Sequence, residues 1–319
     1  MQSVSVVIPV YNSARILLDL VERLASVLPQ LAPRYELVLV DDGSSDGSGA
    51  AIEAIVGKKA WVRGVRLMRN YGQHNALLCG VRLAEHEVIV TMDDDLQHPP
   101  EEIPKLLNRL AEGFDVVYGT PDKEQHGLWR DLASRVTKLA LQNAMGADIA
   151  RSVSAFRAFR TEVRDSFSGY RSPFVSLDVL LTWGTSRFSA VEVRHDPRLK
   201  GESSYTLRQL STHALNMMTG FSTLPLQLAS LTGFAFTAFG LAMLLFVIGR
   251  YFLEGGTPPG FPFLVSLIAI LGGAQLFALG VIGEYLARMH FRTLEKPPYV
   301  IRDTVGSPRE RPAAMSHER

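Results

Sequence analysis

Two stretches of this chain, Leu226 to Gly249 and Gly255 to Gly283, contain no Asp, Glu, Lys, Arg or His. A hydrocarbon core of about 30 Å needs about 20 helical residues, so each stretch is long enough to cross a bilayer. Core helices of a soluble protein carry a polar stripe, whereas Phe234 to Ile248 is apolar on every side. Between the two, Glu254-Gly255-Gly256-Thr257-Pro258-Pro259-Gly260 reads as a turn. The expectation is a transmembrane helical hairpin over 226–287, with spans at about 226–251 and 261–287.

Orientation follows from basic residues near the spans. Arg198, Lys200 and Arg208 precede the first and Arg288, Arg292 and Lys296 follow the second, against Arg250 alone on the far side. Both termini are therefore expected in the cytoplasm, with residues 1–202 forming a cytosolic domain. Met1 to Val10 has no basic segment, and its apolar run is too short for a signal peptide. Over 203–225, Leu207, Leu210, Ala214, Met217, Met218 and Phe221 recur at helical spacing, the pattern of an interfacial amphipathic helix. An ordinary helix packed on the soluble domain has the same pattern. Residues 288–319 are expected to be a cytoplasmic tail, partly disordered where it turns polar and Pro/Arg-rich after Gly306.

The soluble part alternates strand and helix patterns. Val4 to Pro9 is a continuous apolar run suited to a strand buried on both faces, and Asn12 or Ser13 can cap a helix reaching about Leu28. Further strands are expected at Glu36 to Val40, Val62 to Leu67, Val88 to Met92 and Val116 to Tyr118. Helices are expected to begin near Ser45, Gln73, Glu101 and Trp129. This order argues for an α/β domain with an open, mostly parallel sheet, whose ligands bind beyond the carboxyl ends of strands. The 33 basic residues balance 32 acidic ones, which removes the electrostatic footprint of a nucleic-acid binder. The single cysteine, Cys79, lies in an apolar run, which excludes an intrachain disulfide and a cysteine metal site and points to a buried thiol.

Two acidic clusters fall at expected strand ends: Asp41-Asp42-Gly43-Ser44-Ser45-Asp46-Gly47 and Asp93-Asp94-Asp95-Leu96-Gln97. Crowded carboxylates need a cation or hydrogen-bond donors to offset their repulsion, so Asp93 and Asp95 point to a hard divalent ion, Mg²⁺ or Mn²⁺. The first cluster also reads as a turn with a helix cap at Ser44 or Ser45.

Val6-Val7-Ile8-Pro9-Val10-Tyr11-Asn12, Val40-Asp41-Asp42-Gly43-Ser44-Ser45-Asp46 and Asp93-Asp94-Asp95-Leu96-Gln97-His98-Pro99-Pro100-Glu101 together resemble family 2 glycosyltransferases of the GT-A, Rossmann-like fold. Arg69-Asn70-Tyr71-Gly72-Gln73-His74, Gly201-Glu202-Ser203-Ser204-Tyr205 and the hairpin narrow the resemblance to polyprenyl-phosphate glycosyltransferases. These include the aminoarabinose (ArnC-like), GtrB-like glucosyl and dolichyl-phosphate mannose synthase branches, the first being the nearest match. The resemblance implies inverting transfer of a sugar from a nucleotide-diphosphate donor, UDP-linked, to undecaprenyl phosphate at the bacterial inner membrane, by a homo-oligomer such as a tetramer.

By the same resemblance, Pro9, Tyr11 and Asp42 would hold the nucleotide base with Asp41 nearby, and Asp93, Asp94 and Gln73 the rest of the donor, with Lys123 as a point charge in place of the family's Arg. Asp93, Asp95 and Gln97 would surround the metal. Arg198 and Ser203 would meet the acceptor phosphate, and Asp95 and Arg198 would be catalytic. Apart from the resemblance, Arg130, at the start of a helical pattern, is read as a further acceptor-phosphate contact and Arg151 as a catalytic contact to donor or acceptor phosphate. Arg198, Arg130 and Arg151 also read as solvated charges, and His74 and His98 as either phosphate contacts or structural residues.

Three departures stand out: Ser13 replaces a common Glu, Pro121-Asp122-Lys123 replaces an expected Arg, and Arg151 stands where relatives carry an Asp proposed as general base. A phosphate monoester, with a second pKa of about 6, is already largely a dianion at neutral pH and needs no base. The rival readings are a degenerate membrane scaffold and a polysaccharide synthase. The latter usually carries Gln-x-x-Arg-Trp and more spans, both absent from this sequence.

Overall fold

The computed structural model of the chain describes residues 2–121, 152–196, 224–254, 260–294 and 296–306. Lys123, Arg130, Arg151, Arg198, Ser203, the helix expected near Trp129, the amphipathic segment around 207–221 and the tail beyond 306 lie outside them. The chain divides into two compact units, Met1–Thr206 with Glu295–Arg319, and Leu207–Leu294.

In the first unit the elements run β1 (Val4–Val10), α1 (Leu17–Leu31), β2 (Tyr35–Asp41), α2 (Ser48–Val56), β3 (Val62–Leu67), α3 (Gln73–Leu83), β4 (Val88–Thr91), α4 (Ile103–Ala111) and β5 (Val116–Pro121). After the gap come β6 (Arg157–Arg160), α5 (Leu177–Gly184) and β7 (Phe188–Val193), and after the second unit β8 (Ile301–Val305). The eight strands form one sheet in the order β7-β5-β6-β4-β1-β2-β3-β8. The pairs β1/β2, β1/β4, β2/β3 and β5/β7 are parallel. The β3/β8, β4/β6 and β5/β6 pairs are antiparallel, so the sheet is mixed.

Burial of β1 on both faces follows from its central place. Val4, Val6, Ile8 and Val10 join a core with Leu17, Leu20, Val21, Leu24 and Leu28 of α1, Ile52 and Ile55 of α2, and Ile103, Leu106 and Leu110 of α4. Those helix positions recur every three or four residues, one stripe per helix. Val7 faces the other way, toward α3. There a Cβ built on Gly80 would lie 2.3 Å from Val7 Cγ1, so the glycine sets how closely helix and strand approach.

Both expected helix caps are corrected. α1 starts at Leu17 behind Ile16, with no side-chain cap, because Asn12 lies at φ 55° and its Oδ1 accepts the backbone N–H of Ser45. α2 starts at Ser48 behind Gly47, not at Ser45, since the Ser44 N–H is drawn to Asp41 Oδ1 at 2.9 Å. The expected tail is structured ahead of Gly306: β8 pairs with β3 and forms the edge of the sheet, and Met68 N donates to Val300 O.

The second unit contains α6 (Leu224–Glu254) and α7 (Phe261–Thr293), which pack against each other. Among the described residues, α7 alone is long and apolar enough to cross a membrane, over Ile270–Ala287 with mean hydropathy 1.5 and none of that window buried. The described part of α6 carries an apolar stretch over Leu226–Gly240. Both expected spans fall on helices, and α7 alone among the described residues supports a membrane-spanning reading.

Candidate active site

The chain order reverses at β1, which has β2 on one side and β4 on the other. Loops leaving two such strands part to opposite faces of the sheet, opening a crevice beyond their carboxyl ends. Pro9 marks the opening. β4 pairs with β1 only as far as Val7↔Thr91, while β1 stays paired with β2 to Val10↔Asp41. The N–H that proline lacks would lie on the side where β4 has already ended, so no ladder bond is lost.

The first acidic cluster lines one wall. Asp42, 2 % exposed, accepts the backbone N–H groups of Tyr71 at 2.7 Å and Gly72 at 2.8 Å. Burial pushes its carboxyl up, and those two donors pull it part of the way back. Gly43, at φ 71°, lies so close to the backbone of Arg69 and Asn70 that a Cβ would come within 2.6 Å. Asp41 is also buried, with Oδ2 at 3.8 Å from Arg66 Nε. Asp46 gathers the Ala14 N–H and the Ser48 N–H and hydroxyl, which ties the loop after β2 to the loop after β1.

The second cluster lines the other wall. Asp94 Oδ2 accepts the Tyr11 N–H at 3.3 Å, and burial pushes this carboxyl up against the pull of Ser13 and Tyr11. Tyr11 itself is 52 % exposed at the lip. Asp93, Asp95 and Gln97 are half-buried. Asp93 Oδ1 accepts from Gln73 Nε2 at 2.6 Å, and Asp95 Oδ1 from the Gln97 N–H at 3.1 Å. Between them Leu96 adopts φ 59° and buries its side chain.

His98 lies inward, stacked on Phe156 at 5.3 Å and edge-on to His195 at 5.0 Å. Burial, reinforced by His195, lowers its pKa to about 4, so the ring is neutral. His74 Nδ1 accepts the Leu177 N–H at 3.4 Å. Two carboxylates and an amide oxygen at a half-open rim suit a hard divalent cation. No group of three or more His, Cys, Asp or Glu among the described residues makes a closed metal cage.

Pro9, Tyr11, Asp41, Asp42, Gln73, Asp93, Asp94, Asp95 and Gln97 are thus brought together from four segments of the chain. Sequence reasoning missed the support beneath them. Arg157, 1 % exposed, pairs with Asp178 and donates from Nε to Thr91 Oγ1 at 3.0 Å, two residues before Asp93. Tyr118 OH donates to the same Asp178 carboxylate at 3.1 Å. The signal available was the Phe156-Arg157 segment, but no pattern of apolar residues reveals a buried arginine. A cavity of about 360 Å³ lies on the outer flank of the first acidic loop, between Ser44, Ser45, Arg66, Arg69 and Arg302. Its lining does not include Tyr11 or Asp93.

The pattern that defines Glycosyl transferase family 2 matches residues 5–167, half of the chain, spanning β1 to β6 and both acidic clusters. The chain belongs to glycosyltransferase family 2. Two curated relatives of this family 2 glycosyltransferase are undecaprenyl-phosphate 4-deoxy-4-formamido-L-arabinose transferases. The one from Yersinia enterocolitica is 34 % identical over 309 residues, 96 % of this chain and 94 % of the relative. The one from Proteus mirabilis is 36 % identical over 307 residues, 95 % and 94 %.

Among solved structures, glucosyl-3-phosphoglycerate synthase from Mycobacterium tuberculosis in complex with Mn²⁺, UDP-glucose and phosphoglyceric acid superposes with a TM-score of 0.53 at 18 % identity, covering 68 % of this chain and 78 % of that one. Mannosyl-3-phosphoglycerate synthase from Rubrobacter xylanophilus gives 0.51 at 19 %, covering 82 % and 79 %. At that identity the likeness establishes the fold of this family 2 glycosyltransferase, a GT-A mixed sheet with helices.

Proposed function

We propose that this glycosyltransferase moves a sugar from a nucleoside-diphosphate donor, UDP-linked, to undecaprenyl phosphate at the cytoplasmic face of the bacterial inner membrane, with inversion. The observation that carries the reading is the convergence of both acidic clusters on one crevice, in a chain that matches undecaprenyl-phosphate transferases over nearly its whole length. In the reaction an acceptor phosphate oxygen attacks the anomeric carbon, and the bond from that carbon to the β-phosphate oxygen breaks, releasing nucleoside diphosphate.

Asp93, Asp95 and Gln97 would hold Mg²⁺ or Mn²⁺, which when bound supplies charge neutralisation on the departing diphosphate. The rest of its coordination shell would come from donor oxygens and water. Tyr11 offers an exposed ring beside the nucleotide, and Pro9, Asp41 and Asp42 shape the floor beneath it. Asp94 holds Tyr11 in place. Lys123, Arg130, Arg151, Arg198 and Ser203 are assigned to the phosphates on their sequence context, as cations or hydroxyls that orient anions. The dianionic acceptor arrives activated, so Arg151 in place of an acidic base is compatible with turnover. α6 and α7 form the membrane hairpin, and the active protein is a homo-oligomer.

The test incubates the purified full-length chain with a panel of nucleotide sugars, Mg²⁺ or Mn²⁺ and undecaprenyl phosphate, then weighs the extracted lipid. The expected product is undecaprenyl phosphate plus one glycosyl residue, lost in Asp95→Asn. Turnover by Asp95→Asn in the presence of chelator would overturn the metal assignment. No lipid product from any donor would overturn the acceptor.

A further inference from the structure

Gln73 occupies the first position of α3, immediately after Gly72, which holds φ 97° with its N–H on Asp42. That fixes where the Gln73 side chain starts. Its Nε2 lies 2.6 Å from Asp93 Oδ1. An ionised carboxylate only accepts, so the amide must present its nitrogen to Asp93 and its oxygen elsewhere. A charge-assisted bond of this length restricts rotation of the carboxylate plane. The same contact joins the two acidic clusters: Asp42 of the first holds the loop, and the loop delivers Gln73 to the second.

The resemblance to polyprenyl-phosphate transferases placed Gln73 on the nucleotide sugar. From the geometry we propose instead that Gln73 is a positioning residue, which orients the Asp93 carboxylate for the divalent cation. This inference rests on the metal reading above. Groups that orient a metal-binding carboxylate commonly account for 10–100-fold in metal affinity. Removing the Gln73 amide should therefore weaken the cation and leave the contact with the nucleotide intact. Arg157, buried nearby, hydrogen-bonds Asp178 and Thr91 and acts on Asp93 through its charge.

The experiment measures Mn²⁺ binding to the full-length chain in detergent by the electron paramagnetic resonance signal of free Mn²⁺, without nucleotide. It compares the wild type with Gln73→Met, Gln73→Leu, Asp95→Asn and the distant Gln30→Ala. The expected result is a Mn²⁺ affinity about 10–100-fold lower in both Gln73 variants and unchanged in Gln30→Ala. Unfolding midpoints should match the wild type, because Gln73 is exposed. At saturating Mn²⁺, kcat and the donor KM of Gln73→Met should return to wild-type values.

Wild-type Mn²⁺ affinity in both Gln73 variants, or a raised donor KM that persists at saturating Mn²⁺, would overturn the inference in favour of a direct nucleotide contact. If Asp95→Asn binds Mn²⁺ as the wild type does, the metal reading itself fails and this inference fails with it. That outcome is distinct from a failure confined to the Gln73 variants.

Discussion

Cys79 illustrates how burial alone fixes the chemistry of a residue. Burial pushes its thiol up to about 12, against the smaller opposing pull of Arg82 and the Tyr299 hydroxyl. At pH 8 the thiolate fraction is then on the order of one in ten thousand, and the thiolate is the reactive form. Native protein at pH 8 should resist maleimide or iodoacetamide and label fully in denaturant, which intact mass measures directly. The folded pKa lies above the unfolded value of about 8.5, so the stabilisation is complete below pH of about 8.5 and declines as pH rises toward 12. Alkaline unfolding curves of Cys79→Ala should be flatter than those of the wild type above pH 9. Rapid native labelling would show that α3 opens locally.

At the scale of elements, β6, paired with β4 and β5, carries one half of a buried ion pair. Arg157 lies in β6, which among the described residues is the one strand inserted antiparallel between two others, and its guanidinium joins Asp178 of α5 and Thr91 of β4. Breaking a buried pair by removing one partner costs about 3–5 kcal/mol, because the other charge is left uncompensated. Arg157→Met should lose about that much stability in urea titrations. Arg157→Met combined with Asp178→Leu should recover most of it. A single variant as stable as the wild type would mean that Asp178 finds another donor. The strand was not legible in the sequence because Arg157-Ala158-Phe159-Arg160 carries charges at both ends, and burial of the first depends on a partner 21 residues away. β8 was missed for a related reason. Ile301-Arg302-Asp303-Thr304-Val305 has the charged composition of an edge strand, and only β3 beside it makes it one.

For the whole molecule, the proposed chemistry requires a water-soluble donor to meet an acceptor that does not leave the bilayer. The uncharged stretches over 226–249 and 255–283 supply the apolar surface for that. The described parts of α6 and α7 expose Phe234, Leu253, Leu276 and Phe277 among others, a surface that is unstable in water unless lipid covers it. The chain should therefore stay with the membrane fraction through carbonate at pH 11 and high salt, and leave only with detergent. Release by salt alone would reduce the second unit to a peripheral attachment.

Sequence alone determined the elements whose cause is local. The run Val4–Val10 is a strand because it is almost wholly apolar over a strand's length, and α1 and α4 are helices because their apolar residues repeat every three or four positions. The two acidic clusters could be placed at strand ends for the same reason. Tertiary structure decided everything that depends on a distant partner. It set the order in which strands lie, the antiparallel insertion of β6, the return of Ile301–Val305 to the sheet, and the starts of α1 and α2, where Asn12 bonds across the loops to Ser44 and Ser45 instead of capping. It also decided which oxygens of Asp42 and Asp93 are held, and by which N–H groups. A hydrogen bond has a range of about 3 Å, so its identity is fixed only once folding has brought residues far apart in sequence to that distance.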